Sequence, residues 1–457
     1  MGAAPTYLER ASAGMVALQD FYNVATGVWN TTGWWNSANA LETTIDYCLL
    51  TDSLTYRTNI FNTFEKNKRN NFLNQFYDDE GWWALAWIKA FDLTAETRYL
   101  DMAKTIFNDM KGGWDSTCGG GIWWSKERTY KNAIANELFL AIAARLALRI
   151  PNDKTFLDWA QLEWNWFRNT GLINQNNLIN DGLNKNCKNN GQVTWTYNQG
   201  VVLGGLIDLY KSTNDEKVLT QAQAIADATI ATLPPDGVLR ELCEPDCGKD
   251  GPQFKGIFIR NLGYLYRTVN KPTYKAFILK NVDSMWAQNR NSANQFGLCW
   301  NGSFDSADAA RQSAAMDALN ASALVSREVL TYPAETATLH QLVLEATYSG
   351  YRGSGYIAGW NRDGQWVDFS VTVVTSGRYT LSFRYAAAGG DAFRYIYVNA
   401  KTIVNQHRFP GTGSWERWNT IALENVPLSA GRNTVSVIFN STRGSRNWLN
   451  LNELVVK

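Results

Sequence analysis

The chain has 457 residues, 45% of them hydrophobic, and 43 Lys and Arg against 42 Asp and Glu. That suits one large domain plus one small one and excludes charge-driven recognition of nucleic acid or an anionic membrane; no apolar run approaches the roughly 20 residues that cross a bilayer. The only histidines are His340 and His407, which removes Ser-His-Asp catalysis, Cys-His catalysis and a His-built zinc site from everything before them.

The start, Met1-Gly2-Ala3-Ala4-Pro5, has no signal-type apolar segment and reads as a mature form with a cloned start. Residues 1–330 then read as helix after helix, about twelve in all. They alternate in character. Ile60, Phe61 and Phe64 make one apolar stripe opposite Glu65, Lys66, Lys68 and Arg69, whereas Trp82 to Phe91 is apolar nearly all round. Tyr99, Met102, Ile106 and Met110 form a single stripe again, and Ile134 to Leu146 is apolar on most sides. Buried helices alternating with amphipathic ones imply two concentric layers. An aromatic cluster heads each buried helix: Trp34-Trp35, Trp82-Trp83, Trp123-Trp124, Trp195 with Tyr197, Phe254, and Trp300. Six such entries predict six helical hairpins closed into an all-α (α/α)6 toroid; their irregular spacing disfavours an open solenoid of constant period.

The texture changes after about residue 330. Residues 331–340 read as a linker. Residues 341–457 read as an all-β sandwich of jelly-roll type, because runs such as Trp366 to Val373, Tyr379 to Tyr385 and Asn433 to Phe439 alternate and are punctuated by Gly, Asn and Pro. Cys243 and Cys247 lie in a Pro/Gly/Asp-rich loop where a short disulfide is expected, while the pairing of Cys48, Cys118, Cys187 and Cys299 stays open. The even cysteine count, with sequons at Asn30, Asn301, Asn320 and Asn440, points to a secreted, extracellular protein.

The sharpest chemical feature is Gln75-Phe76-Tyr77-Asp78-Asp79-Glu80-Gly81-Trp82-Trp83. It sets Asp78 and Asp79 where a buried helix begins, on the rim formed by the helix entries. Glycoside hydrolysis needs two carboxyl groups, and two like charges side by side help keep one protonated. Trp34, Trp35, Trp82, Trp83, Trp123 and Trp124 offer faces for pyranose rings. The competing reading makes the aspartates helix caps. Asn36, Asn39, Glu42 and Asp46 follow Trp35, with 39, 42 and 46 on one helical face, as substrate contacts or as a buried structural network. Asp181 is a sugar-hydroxyl ligand or a turn residue. Asn132, Asn136, Tyr197, Asn198 and Lys255 head later inner helices and are further candidates. The run Cys118-Gly119-Gly120-Gly121 lacks the ending of a phosphate loop and reads as a close backbone turn at the rim.

Taken together, Tyr77 to Trp83, Trp34-Trp35-Asn36-Ser37-Ala38-Asn39 and Gln253 to Arg260 resemble glycoside hydrolase family 76, over about residues 8–328. The resemblance implies an (α/α)6 fold and a retaining endo-α-1,6-mannanase that needs no cofactor. Asp78 would be its nucleophile, Asp79 its general acid/base, and Asp181 a further acidic contact. Tyr351 to Ile357, Gly377 to Tyr385, Trp415 to Trp418 and Asn447 to Asn452 resemble carbohydrate-binding module families 35 and 6, with Tyr356, Asn447 and Trp448 as candidate ligand contacts. Such modules hold a structural calcium; here Glu345 remains on the first strand, and Asn452 stands where an Asp is usual. Two carboxylates fewer weaken a hard-cation site. Polysaccharide is therefore the expected partner and a monomer the expected state. The alternatives are a transglycosylase that passes the mannosyl group to another sugar and a non-catalytic glycan-binding protein. A lipid-anchor tail is not seen, which favours the free hydrolase, and the presence of both aspartates disfavours the last.

Overall fold

The structure, a computed structural model, describes residues 5–457; the Met1-to-Ala4 start read above as cloned lies outside the described residues. The chain divides into two compact units. One holds Leu54–Ser326 and the chain up to Cys48; the other is Arg327–Lys457 with Leu49–Ser53.

The first unit is built from twelve helices among the described residues: α1 (Tyr7–Gln19), α2 (Trp34–Thr51), α3 (Arg57–Asn67), α4 (Tyr77–Thr94), α5 (Thr97–Lys111) and α6 (Ala133–Arg149), then α7 (Lys154–Asn169), α8 (Thr196–Thr213), α9 (Glu216–Thr232), α10 (Phe254–Val269), α11 (Pro272–Gln288) and α12 (Ala309–Val325). A two-strand hairpin, β1 (Tyr22–Asn23) with β2 (Val28–Trp29), follows α1. The predicted alternation holds. Helices α4, α6, α8, α10 and α12 bury residues on nearly every side, whereas α5 buries one stripe of Tyr99, Met102, Ile106 and Met110. The inner helices pack closely; a Cβ on Gly256 of α10 would lie 2.4 Å from the Ala314 backbone of α12, so only glycine permits that approach.

The inner ring is closed by charge as well as by apolar packing. Glu42 of α2 meets three cations: Lys89 of α4 at 3.0 Å, Arg260 of α10 at 3.1 Å and Arg145 of α6 at 3.4 Å. Arg145 also pairs with Asp208 of α8 (3.2 Å), and Arg260 with Asp317 of α12 (3.1 Å). Each inner helix thus supplies at least one ionised group, and α2 supplies a second in Asp46, which pairs with Lys89 at 2.7 Å. Asn320 of α12 donates to the Thr43 carbonyl of α2 (2.9 Å) to complete the circuit. Against the upward push of burial, Arg260, Lys89 and Arg145 hold the Glu42 carboxyl down at about 2. Buried ions are tolerated only when paired in this way.

The second unit is an antiparallel sandwich of β3 (Leu330–Pro333), β4 (Thr338–His340), β5 (Val343–Glu345), β6 (Tyr356–Ala358), β7 (Trp366–Val373), β8 (Gly377–Ala386), β9 (Ala392–Val398), β10 (Lys401–Phe409), β11 (Asn419–Leu428), β12 (Gly431–Ile438) and β13 (Asn450–Val456). One sheet runs β10-β9-β12-β7-β4; the other runs β11-β8-β13-β6-β5, with β3 also on β13. Alternate residues of β7 (Val367, Phe369, Val371 and Val373) turn into a core shared with Phe383, Leu451 and Leu454 of the facing sheet. The expected linker at 331–340 is instead part of this sandwich. It contributes β3 and β4, whose backbone groups are taken up by β13 and β7.

Disulfides join Cys243 to Cys247, as expected, and Cys118 to Cys187; Cys48 and Cys299 are unbridged. The sequon at Asn320 is no glycan acceptor, because its side chain is buried and bonded to Thr43. No helix of the described residues is long and apolar enough to cross a membrane.

Candidate active site

Helix α4 begins at Tyr77, so Asp78 and Asp79 lie inside its first turn. Neither is the cap: that position is Phe76, which makes no side-chain capping bond. The capping explanation for the pair therefore fails. Trp124 Nε1–H donates to Asp78 Oδ2 (3.0 Å), while Asp78 Oδ1 is buried with no partner among the described residues. Asn74 Nδ2–H donates to Asp79 Oδ2 (2.6 Å). Successive side chains on a helix point about 100° apart, and the two aspartates accordingly engage different loops. Burial, then the neighbouring Asp79 charge, pushes the Asp78 carboxyl up to about 8. Burial pushes Asp79 up to about 6, with Asp250 adding to the rise and Asn74 opposing it. Between those values the pair shares one proton.

Around the pair stands an aromatic wall. Trp35 stacks on Trp82 (5.5 Å), Trp82 faces Tyr197 (6.4 Å), and Tyr197 lies flat on Phe254 (4.0 Å). Trp35 and Tyr197 are half-buried, whereas Trp82 is buried behind them as backing rather than as a free platform. Burial, then the Asp181, Asp78, Glu137 and Asp250 carboxyls, pushes the Tyr197 hydroxyl well up, which places that ring amid the acidic groups. On the other flank the Trp124 ring meets Tyr130 (6.4 Å), and the Tyr130 hydroxyl donates to Asp181 Oδ2 (2.5 Å). Tyr130, Asp181 and Trp123 line a cleft of about 530 Å3 with Asn184, Asn190 and Gln192. The Cys118–Cys187 bridge joins the two loops that form its sides. Trp123 donates to Asp115 (2.7 Å) beneath Lys131.

Several candidates belong to the core instead. Trp83 is fully buried against Trp34 (4.6 Å), Phe72 (5.0 Å) and Trp87 (5.8 Å); one step along the helix turns it away from Trp82's wall. Trp34 stacks on Phe72 and belongs to the same cluster. Asn39 accepts from Arg260 (2.8 Å) within the axial ion network. Lys255 is buried in an ion pair with Glu244 (2.5 Å) and donates to the Leu298 carbonyl. Asn132 caps α6, accepting from the Ala135 N–H. Asn136 bonds both backbone groups of Ile122, fixing the loop before α6. Asn198 is fully buried beside Tyr197, and neither of its amide atoms has a partner among the described residues.

Sequence reasoning missed Asn74, Tyr130 and Asp250. Asp250 accepts from Trp35 Nε1–H (2.8 Å) and raises Asp79 from a loop ahead of α10. Asn74, three residues before the helix, is the one with a local signal: Asn there commonly makes an Asx turn.

In the sandwich, Tyr356 is buried beneath Trp418 (5.3 Å) and Tyr348 (6.5 Å), so it supports the surface and does not form it. Trp448 is 50% exposed. Asn447 beside it has φ +60° and donates to the Asp391 carbonyl (2.7 Å). Of the two residues implied for calcium, Glu345 lies on β5 and not on the first strand, and Asn452 does not fit a hard cation. Asn452 is buried with Oδ1 taken by Arg384 Nη1 (2.7 Å) and the Arg352 N–H (2.8 Å), and its Nδ2 donates to the Arg352 and Gly355 carbonyls. A guanidinium on the ligating oxygen is incompatible with a cation there.

Comparison with known proteins agrees with these two units. The model described as Glycosyl hydrolase family 76 matches residues 6–334, and that described as Carbohydrate binding module (family 6) matches residues 334–457. Among curated proteins, the mannan endo-1,6-alpha-mannosidase DFG5 of Candida albicans is 29% identical over 260 residues, covering 50% of this chain and 57% of that protein. DCW1 of Saccharomyces cerevisiae, of the same description, is 29% identical over 304 residues, covering 60% and 67%. The chain thus spans little more than half the length of the first of these relatives. Among solved structures, an inactive variant of an alpha-1,6-mannanase of Salegentibacter sp. HEL1_6, with two consecutive aspartates replaced by asparagine and α-1,6-mannotriose bound, superposes with a TM-score of 0.63 at 24% identity, covering 70% of this chain and all of that one. Dfg5 of Chaetomium thermophilum in complex with glucosamine gives 0.62 at 22%, covering 70% and 90%.

Proposed function

The chain belongs to glycosyl hydrolase family 76, and from that premise we propose that it is a secreted endo-acting hydrolase of α-1,6-mannan, working by retaining double displacement. The observation that carries the reading is the half-buried Asp78–Asp79 pair in the first turn of an inner helix, facing an aromatic wall. The names of the relatives, which are mannan endo-1,6-alpha-mannosidases, support the substrate. The inactivation of the Salegentibacter mannanase by replacing two consecutive aspartates supports the pair.

In the first step an Asp78 oxygen attacks the anomeric carbon and the glycosidic C–O bond breaks. The leaving oxygen takes the proton of Asp79. Water then gives a proton to Asp79, attacks the same carbon and releases Asp78. The Trp124 N–H aims the Asp78 carboxyl, and its other oxygen has no competing partner. In the free protein Asp78 holds the shared proton, being pushed higher than Asp79. Positive charge developing on the sugar beside Asp78 favours its ionised form and moves the proton to Asp79. The same order of proton affinities favours a second reading with the roles exchanged, Asp79 attacking and Asp78 serving as acid. Neutral, hydroxyl-rich mannan suits a wall of Trp35 and Tyr197, whose rings stack on sugar faces.

Either division of labour needs one proton on the pair. Catalysis therefore rises as pH passes about 6 and one carboxyl ionises, then falls as pH passes about 8 and the last proton leaves. A pH profile of kcat/KM on α-1,6-mannan is expected to be bell-shaped between those values. Full activity at pH 4 would contradict the shared-proton site.

A further inference from the structure

Asn74 touches both ends of the first turn of α4. Its Oδ1 accepts from the Phe76 N–H (2.8 Å), its own N–H donates to Glu80 Oε1 (2.9 Å), and its Nδ2–H donates to Asp79 Oδ2 (2.6 Å). The first bond fixes the orientation of the amide, because an N–H donor can be met only by the amide oxygen. The NH2 group must then face Asp79. Glu80 is itself anchored from the far side by Lys126 (2.8 Å), which also pairs with Asp109 (3.0 Å). Lys126 N–H bonds the Gln75 carbonyl (3.0 Å), and Tyr77 N–H the Trp124 carbonyl (2.9 Å), so the loop carrying Asn74 is laced to the loop carrying Trp124. No part of this lacing touches the stacking wall.

We propose that Asn74 is a positioning residue for the Asp78–Asp79 pair, holding the Asp79 carboxylate in place and making the two acids unequal. The inference rests on the reading of that pair as catalytic. A donated hydrogen bond stabilises the ionised form of its acceptor. Asp79 receives one from an amide that is locked. Two acids oppose it, Asp78 next along α4 and Asp250 ahead of α10, while Lys126 and Asp109 are engaged at Glu80. Asn74 is thus what favours the ionised Asp79, the form that accepts a proton from water in the second step.

Two variants separate this role from a merely structural one. Asn74→Ala removes both the turn and the donor. Asn74→Ser still offers an oxygen to the Phe76 N–H, adds no charge and is too short to reach Asp79, so it carries the test if the alanine variant fails to fold. In either variant the lower limb of the kcat/KM profile is expected to move up by about one pH unit. A carbon-13 titration of the aspartate carboxyls in the free protein is expected to show the same rise at Asp79. A folded variant whose lower limb and Asp79 titration match wild type overturns the proposal. If wild type turns over no α-mannan, the catalytic reading fails, but the titration still decides whether Asn74 sets Asp79.

A separate observation lies in the sandwich. Arg384 of β8 reaches the Asn452 Oδ1 on β13 (2.7 Å) with one nitrogen and the Gly350 carbonyl (2.8 Å) with the other, and lies over the Trp418 ring at 5.1 Å. Arg352 in the same loop pairs with Glu453 (2.7 Å). We infer that the Arg384 guanidinium pins the β5–β6 loop to the sheet in the place of a structural cation, so that this unit folds without calcium. Its melting transition in the full chain is expected to be unmoved by EDTA or by added calcium. Arg384→Ala and Arg384→Lys are each expected to lower it by about 5 °C, with no recovery on adding calcium. A drop with EDTA in wild type, calcium rescue of either variant, or melting of both variants at the wild-type temperature overturns it.

Discussion

Asp78→Asn and Asp79→Asn are each expected to lower turnover of α-1,6-mannan by about 10^3-fold or more, in proteins that remain folded. General acid–base catalysis alone accounts for about 10^2 to 10^4, and loss of the attacking group removes the covalent route altogether. The two variants are expected to differ with an activated aryl mannoside. Its leaving group departs without a proton, so Asp79→Asn regains bond cleavage while Asp78→Asn does not. The reverse pattern assigns Asp78 as the acid and upholds the exchanged reading. Stability supplies a second readout of the same site. The folded protein holds Asp78 well above its ordinary value through burial and the Asp79 charge. Its contribution to stability is therefore fully present below the unfolded carboxyl value and is lost as pH rises through about 8. Asp78→Asn has no charge to bury, so it is expected to melt above wild type at pH 9 and to lose that advantage at pH 4. Thermal melting at the two pH values checks this; a variant that melts below wild type at both would mean that the lost turnover reflects a damaged fold.

The largest loss of stability is expected from Arg260→Met. Arg260 joins α10 to α2 through Asn39 and Glu42 and to α12 through Asp317. Methionine fills similar space but leaves Asp317 buried with its cation gone, while Glu42 keeps Lys89 and Arg145. Breaking a buried pair by removing one partner costs about 3–5 kcal/mol, because the remaining charge is uncompensated. Asp317 already stands at about 7, raised by burial against the pull of Arg260. Without Arg260 it rises further, so the variant's deficit is largest at alkaline pH and shrinks as pH falls and Asp317 takes up its proton. Denaturant unfolding at pH 5 and pH 8 measures both the loss and its direction. Adding Asp317→Leu to Arg260→Met is expected to recover much of the stability, since an apolar pair often replaces a buried ion pair without penalty. A loss below about 1 kcal/mol at pH 8 would show that the axial network does not hold the ring.

What could be read from the sequence was set by periodicity and local pattern. Tyr99, Met102, Ile106 and Met110 against the all-round apolar Trp82 to Phe91 separated outer from inner helices, and alternation along Trp366 to Val373 marked the sandwich. Asp78 and Asp79 stood out because two adjacent acids opened a buried helix. Neighbouring tryptophans were harder. Trp82 and Trp83 are one residue apart, yet one backs the wall while the other fills the core. Helical phase decides that, and phase depends on where the helix starts. Glu42, Lys89, Arg145, Asp208, Arg260 and Asp317 each read as an isolated polar position in an apolar helix. Only closure of the ring brings them within ion-pair distance. Asp250 joins the site from a loop 171 positions from Asp79, which local pattern does not link to it. The 331–340 segment was misread because its strands are short and find their partners at β7 and β13, far along the chain.

The most direct measurement of the central claim is proton NMR of α-1,6-mannan during digestion by wild type, Asp78→Asn and Asp79→Asn, following the first reducing ends released. Wild type is expected to produce short manno-oligosaccharides whose new ends appear first as the α-anomer and then mutarotate, with neither variant producing any at a comparable rate. Cleavage that persists undiminished in both variants, or a wild type that leaves every α-1,6-mannan intact, would contradict it.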